Sequence, residues 1–164
     1  GSGIVAEGTG MLLQNRGCYF SLDPGHVNRL EPGKRTMHTL IPSMYLEGRR
    51  PRFVYGTMGG EGQPQTQAAV LTRRLFRGLG PQAAIEAPRW LYGRTWGAAS
   101  RALSVEGRYP AELAGELERR GHEVAVGGEW DDLFGHAHCI WIAPEDGGFV
   151  GGSDPRADGA AHGF

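Results

Sequence analysis

Four glycines fall within the seven residues Gly56-Thr57-Met58-Gly59-Gly60-Glu61-Gly62, and Gln63-Pro64-Gln65 follow directly. Glycine lets the backbone take positive φ and brings bare N–H groups close to whatever sits above them. A strand is expected before this stretch, at Pro51–Tyr55, and a helix is expected to begin near Gln65. Strand, glycine turn and helix N-terminus together aim orphan N–H groups and the positive end of the helix dipole at one point, which suits an anion or a developing oxyanion. A tight connection with no ligand explains the same spacing. No Gly-Lys-Ser/Thr follows, so the stretch is not a phosphate-binding P-loop.

Other residues that can do chemistry carry weaker signals. The six histidines include His136-Ala137-His138, which would place two imidazoles on one face of a strand. No third ligand is at hand locally and no HExxH pair exists, so a surface pair is favoured over a metal site. Asp131-Asp132 and Ser153-Asp154-Pro155-Arg156 offer carboxylates, although a strand-end turn and a local ion pair account for them equally well. No GxSxG nucleophile elbow is present. Cys18 and Cys139 lie far apart, outside any CxxC or metal-ligand spacing, and read as two ordinary thiols. From the residues alone the reading stops at a backbone cradle for an anion or oxyanion, with its chemistry unidentified.

The elements that must position this cradle come from pattern and composition. At 164 residues, 40% hydrophobic and 21% charged, the chain suits one globular domain with a real core. A formal net charge of −1 supplies no basic field for nucleic acid, and no apolar run reaches the length of a membrane span. Met11-Leu12-Leu13 and Leu40–Leu46 read as strands, with Pro42 marking an edge, a bulge or a strand start. Ser21–Gly33 is a long loop held by turn chemistry. Glu47-Gly48-Arg49-Arg50 reads as a hairpin turn into Pro51–Tyr55.

The spacing predicts a helix over 65–79, stopped by Gly80-Pro81, and a short second helix over 81–87 ended by Pro88. Arg73, Arg74 and Arg77 read as a solvated face of the first helix. Arg89–Tyr92 and Trp96 are expected to pack as core or cover. A third helix starts at Pro110 and ends before Gly121, with Arg119-Arg120 in its last turn. Leu103–Val105, Val124–Val126, Cys139–Ile142 and Phe149–Ser153 read as strands. Five or six strands and three helices without strict alternation make an α+β layered domain rather than a doubly wound one.

Five motifs then fall in one order: Gly1-Ser2-Gly3-Ile4-Val5 with Gly8-Thr9-Gly10-Met11-Leu12-Leu13, Pro32-Gly33-Lys34-Arg35, Gly56-Thr57-Met58-Gly59-Gly60, Ala87-Pro88-Arg89, and Gly152-Ser153-Asp154-Pro155-Arg156. In this the chain resembles the γ-glutamyltranspeptidase family over essentially all of 1–164, the greater part of that family's small subunit. The resemblance implies an N-terminal-nucleophile hydrolase fold, an αββα sandwich of which this is the C-terminal, small-subunit part. It also implies self-cleavage of a precursor into a large and a small subunit, so the large subunit is the expected partner. The resemblance implies that the nucleophile is a Thr a short way upstream of Gly1; the opening without Met reads either as a cloning scar at Gly1-Ser2 or, as favoured, as a piece of something longer. By itself the chain is then expected to be catalytically silent, with no metal and no cofactor.

Within the resemblance, Gly59 and Gly60 match the pair whose N–H groups form the oxyanion hole, donors worth roughly 3–4 kcal/mol each in well-studied cases. His38-Thr39 stand where two serines hold the substrate's α-carboxylate; Thr39 keeps a hydroxyl and His38 does not. Arg16 stands in place of a Gln and Tyr19 in place of an Asp that help bind the glutamyl α-amino group. Tyr19 offers an ammonium no charge, and Arg16 repels one. These departures, with Gln63-Pro64-Gln65, look more like the acylase-type branch. The expected substrate is a small-molecule amide whose acyl group bears a carboxylate but no α-ammonium, with Arg16 and His38 on the carboxylate side. Plain γ-glutamyl transfer is one competing reading, and a non-catalytic anion-binding or interaction domain is another. Exposed sheet edges make a homo-oligomer possible. The compartment is left between cytoplasm and periplasm, with cytoplasm favoured.

Overall fold

The computed structural model describes residues 2–95, 99–145 and 147–163, so Trp96 lies outside the described residues. The chain forms two compact units, Gly1–Leu40 and Ile41–Phe164.

The first unit is built from turns rather than ladders. Val5 and Leu12 form an isolated antiparallel bridge, the remnant of the strand expected at Met11–Leu13. A 3-10 turn spans Arg16–Tyr19. The long loop is organised by Asn28, whose side chain donates to the Tyr19 carbonyl (2.6 Å) and the Thr36 hydroxyl (3.1 Å) and accepts from the Met37 N–H (3.1 Å). One amide therefore fixes the exit of the 3-10 turn against the segment that leads to His38.

The second unit holds the regular structure: β1 (Ser43–Glu47), β2 (Arg50–Met58), α1 (Gln63–Phe76), α2 (Pro81–Glu86), β3 (Trp90–Tyr92), β4 (Leu103–Val105), α3 (Ala111–Arg119), β5 (Val124–Val126), β6 (His136–Ile142) and β7 (Phe149–Ser153). Among the described residues these seven strands exceed the five or six expected; the strand not expected is β3, in the stretch Arg89–Tyr92 read only as core or cover. They form a sheet of order β1-β2-β6-β7, antiparallel throughout, and a smaller one of order β3-β4-β5, in which β4 and β5 run parallel. β1 starts directly after Pro42 and lies at the sheet edge, where a missing N–H donor costs no ladder bond. The hairpin between β1 and β2 turns at Gly48, with φ +62°.

α1 and α2 cover one face of the larger sheet around Phe53, Val70, Ala84, Ile85, Ala137 and Cys139. The opposite face exposes Met44, Val54, Met58 and Ile140. α3 runs as the sequence indicates, from Pro110 as its cap to Gly121 at φ +91°.

Two expectations for α1 are corrected. The helix stops at Phe76, with Gly78 at φ +67° as the break, and Gly80-Pro81 starts α2 instead. Arg73 and Arg74 are not a solvated face. Arg73 donates to the carbonyls of Ala84, Ala87 and Pro88 at the end of α2, and Arg74 stacks on Trp141 at 3.7 Å from the ring centroid. Both guanidiniums occupy sites that orphan carbonyls and an aromatic face create. Arg77 is exposed, as expected.

Candidate functional site: a glycine turn backed by buried charge

β2 ends at Met58 and the chain turns through Gly59 (φ +153°) and Gly60 (φ +53°), conformations that L side chains rarely adopt. A 3-10 turn over Gly60–Gly62 follows and leads directly into the 14-residue α1. The turn closes on itself, with Gly62 N–H donating to the Gly59 carbonyl (2.9 Å) and Gln63 Nε2 to that of Gly60 (3.1 Å). The N–H groups of Gly59 and Gly60 find no acceptor among the described residues, and they stand at the positive end of α1. Gly62 packs so closely on the smaller sheet that a Cβ there would lie 3.0 Å from Leu91 Cδ2 and 3.3 Å from Thr95 Cγ2. At the exposed rim Arg94 holds Glu61 through both carboxylate oxygens.

The turn is supported from behind by a second glycine. Gly135 (φ +78°) sits so near the Met58 carbonyl that a Cβ on it would fall 2.2 Å from that oxygen. The Gly135 Cα is also the nearest atom to where a Gly59 Cβ would stand, at 3.3 Å. Thr66, buried on α1, donates to the Phe134 carbonyl (3.2 Å). Arg89 Nη1 donates to the carbonyls of Phe134 (3.1 Å) and Gly135 (2.6 Å).

Arg89 belongs to a cluster of buried charges. Its Nη2 lies 2.5 Å from Asp154 Oδ2, and Asp154 Oδ1 receives Arg156 Nη1 at 3.0 Å. Arg156 forks onto Glu106, at 2.5 and 2.7 Å. Glu106 also accepts the Arg89 N–H (3.0 Å) and Arg108 Nη2 (2.7 Å), while Arg108 stacks on Trp130. The side chains of Arg89, Glu106, Asp154 and Arg156 are all at most 1% exposed. Burial alone would raise the Asp154 carboxyl, but Arg89 and the N–H groups of Ala137 and Arg156 outweigh it and hold the pKa below the usual carboxylate range. Burial brings Arg89 down to about 10, opposed by Asp154. Buried charge is tolerated only when paired and hydrogen-bonded in this way.

The candidates of the first unit group separately. Arg16 Nη1 donates to the Tyr19 hydroxyl (3.1 Å), and its guanidinium lies 5.5 Å from the Tyr19 ring centroid, so these two side chains engage each other. His38 accepts the Leu40 N–H at Nδ1 (3.2 Å), next to Thr39. The Asn28 bridge ties both pairs into one unit.

Of the remaining candidates, His136 and His138 share the face of β6 opposite Ala137 and Cys139, with His138 Nδ1 3.3 Å from Ser153 Oγ. Among the described residues no three His, Cys, Asp or Glu side chains come together as a metal set. Asp131 is the cap of a 3-10 turn, accepting from Leu133 N–H. Asp154 is no solvent-facing acid but the centre of the charge cluster. Sequence reasoning missed Thr57, Thr66, Gly135, Glu106 and Asn28 as parts of the machinery. Gly135, directly before a strand, was the one with a readable signal.

The comparisons with known proteins agree with this architecture. A profile of the Gamma-glutamyltranspeptidase family matches residues 1–164. The whole chain is 54% identical to a glutathione hydrolase-like YwrD proenzyme of Bacillus subtilis and 46% identical to an oxamate amidohydrolase proenzyme of Klebsiella pneumoniae, covering 31% of each. A cephalosporin acylase structure from Bacillus halodurans matches the whole chain with a TM-score of 0.69 at 42% identity, over 30% of its own length. The chain thus spans about a third of these relatives, and it has their α+β N-terminal-nucleophile hydrolase fold. From its first residue to its last, this chain belongs to the γ-glutamyltranspeptidase family.

Proposed function

We propose that the chain is the small-subunit part of an amide hydrolase that binds the carbonyl oxygen of the scissile amide at Gly59 and Gly60. The observation that carries this reading is the pair of consecutive N–H groups without an acceptor among the described residues, at the head of α1 and backed by Gly135. In this reading an N-terminal Thr, upstream of Gly1, attacks the carbonyl, with its own α-amine as base. The tetrahedral oxyanion forms against the two N–H groups. Donors fixed before the reaction stabilise that charge without reorganising when it appears.

The proposed substrate carries a carboxylate on its acyl group and no α-ammonium. Arg16 and His38 are the carboxylate-side residues, with Thr39 as a hydroxyl donor. Support comes from the residue types: Arg16 and Tyr19 engage each other as a cation and a phenol, and neither supplies the anion that recognition of an ammonium needs. The relative named for oxamate, an amide whose acyl group carries a carboxylate and no ammonium, supports the same reading. The exposed apolar face of the larger sheet suits cover by a large subunit.

The test is an assay of the full-length processed protein on glutaryl and γ-glutamyl anilides. The reading expects the glutaryl substrate to be cleaved faster. Clear preference for γ-glutamyl anilide would support the second reading, γ-glutamyl transfer, which the name of the 54%-identical relative favours.

A further inference from the structure

We propose that Thr57 and Gly135 are positioning residues that together set the plane of the Met58–Gly59 peptide, and with it the direction of the Gly59 N–H. The inference rests on the reading of Gly59 as an oxyanion donor. The carbonyl oxygen of Met58 and the N–H of Gly59 are opposite ends of one rigid, planar unit, so whatever holds the oxygen aims the hydrogen. Two contacts hold it. The Thr57 hydroxyl donates to the Met58 carbonyl at 2.7 Å. Against the same carbonyl the backbone of Gly135 fills the space, leaving no room for a Cβ, which would stand 2.2 Å from Met58 O and 3.0 Å from Thr57 Oγ1.

The geometry is unusual in its requirements. Gly59 at φ +153° has little side-chain sterics of its own to fix the peptide, since a glycine is permissive on both sides. The ladder between β2 and β6 ends with the pair Met58 and His136, so Gly59 lies beyond its last register pair. A donor on a permissive residue at a strand end needs an outside constraint to be preorganised, and Thr57 with Gly135 supplies one. Gly135 is in turn fixed by Arg89 on its carbonyl and by its own N–H donating to Asp132 O at 2.9 Å. Thr57 contributes through the hydroxyl, which valine lacks and serine keeps.

The test compares the wild-type full-length protein with Thr57→Val and Thr57→Ser on an anilide that the wild type cleaves and on the matching thioanilide. Sulfur accepts hydrogen bonds poorly, so an oxyanion site built from N–H donors cleaves the thioanilide more slowly. The expected result is a kcat about 10–100-fold lower in Thr57→Val with KM little changed. The anilide-to-thioanilide ratio should shrink in the same variant, and both values should return in Thr57→Ser. Gly135→Ala should reproduce the loss with an added fall in Tm, because its φ of +78° is also strained for alanine. A wild type that cleaves both substrates equally would overturn the oxyanion reading itself. A discriminating wild type whose kcat and ratio survive in Thr57→Val would overturn the clamp alone. A crystal structure of Thr57→Val with the Met58–Gly59 peptide unrotated would also overturn the clamp, whatever the kinetics, and Thr57→Ala serves the same purpose if valine disturbs folding.

Discussion

The glycine turn and the charge cluster behind it solve opposite problems. At Gly59 and Gly60 the groups without an acceptor among the described residues are backbone N–H donors, and neither residue has a side chain, while the exposed Glu61 pairs with Arg94. At Arg89, Glu106, Asp154 and Arg156 the useful groups are side chains, buried and spent on one another and on backbone carbonyls. The first region presents polar groups to whatever arrives; the second leaves almost none to spare, Arg89 Nε excepted. The two meet at Phe134 and Gly135, whose carbonyls Arg89 holds and whose backbone braces the turn. The contrast teaches that the rigidity of a side-chain-free site is supplied from elsewhere, here by ion pairs distant in sequence.

The largest effect should come from breaking the cluster. Arg89→Met strips Asp154 of its closest partner and takes the Arg89 donor from the Gly135 carbonyl, while the Phe134 carbonyl keeps Thr66 and the Ile85 carbonyl keeps Arg156. Removing one member of a buried pair costs about 3–5 kcal/mol, which a urea titration of the full-length protein would read as a lower midpoint. The same cluster carries a pH signature. The folded Asp154 has a depressed pKa, so its stabilisation is full above the unfolded value of about 3.9 and is lost as pH falls through the folded value. The acid limb of the stability profile should therefore flatten in Asp154→Asn, although that variant starts from a lower plateau.

Gly62→Ala separates sterics from backbone strain. Gly62 has an ordinary φ of −76°, so the cost arises only from Leu91 and Thr95. Overpacking of this kind costs about 1–3 kcal/mol, and the variant should lose activity through a shifted turn in proportion to its fall in Tm. The exposed Glu61–Arg94 pair marks the lower bound. Arg94→Gln should change stability by less than about 1 kcal/mol, since surface ion pairs are screened by water and salt. A large effect there would mean that the rim, not the buried cluster, fixes the turn. Smallest of all, the Cys139 thiol, raised to about 11 by burial, should stay unreactive toward thiol reagents at pH 8 until the protein unfolds.

Much of this was legible in the sequence because it is local. The hairpin at Gly48, the strand–glycine–helix order around Gly59, and the limits of α3 each rest on a few adjacent residues with one conformational preference. Beyond the local Asp154–Arg156 ion pair, which the sequence did offer, the charge cluster was not legible. Arg89, Glu106 and Asp154 are 17 to 65 residues apart, and no local pattern says that they meet. The reading of Arg73 and Arg74 as a solvated face failed for the same reason, since Trp141 and the end of α2 are supplied by the tertiary fold. On α1 the buried face includes Thr66 and Gln67, polar residues that an apolar periodicity passes over, because each finds a backbone partner only in the folded chain.

Whether Gly59 and Gly60 receive the oxyanion is decided by the structure of a trapped complex. The full-length processed protein would be reacted with a carboxylate-bearing electrophile that stops at the covalent adduct, and its structure determined. The former carbonyl oxygen should lie within about 2.7–3.1 Å of both glycine nitrogens. An adduct whose oxygen is bound elsewhere, with those two N–H groups facing solvent, would contradict the oxyanion reading.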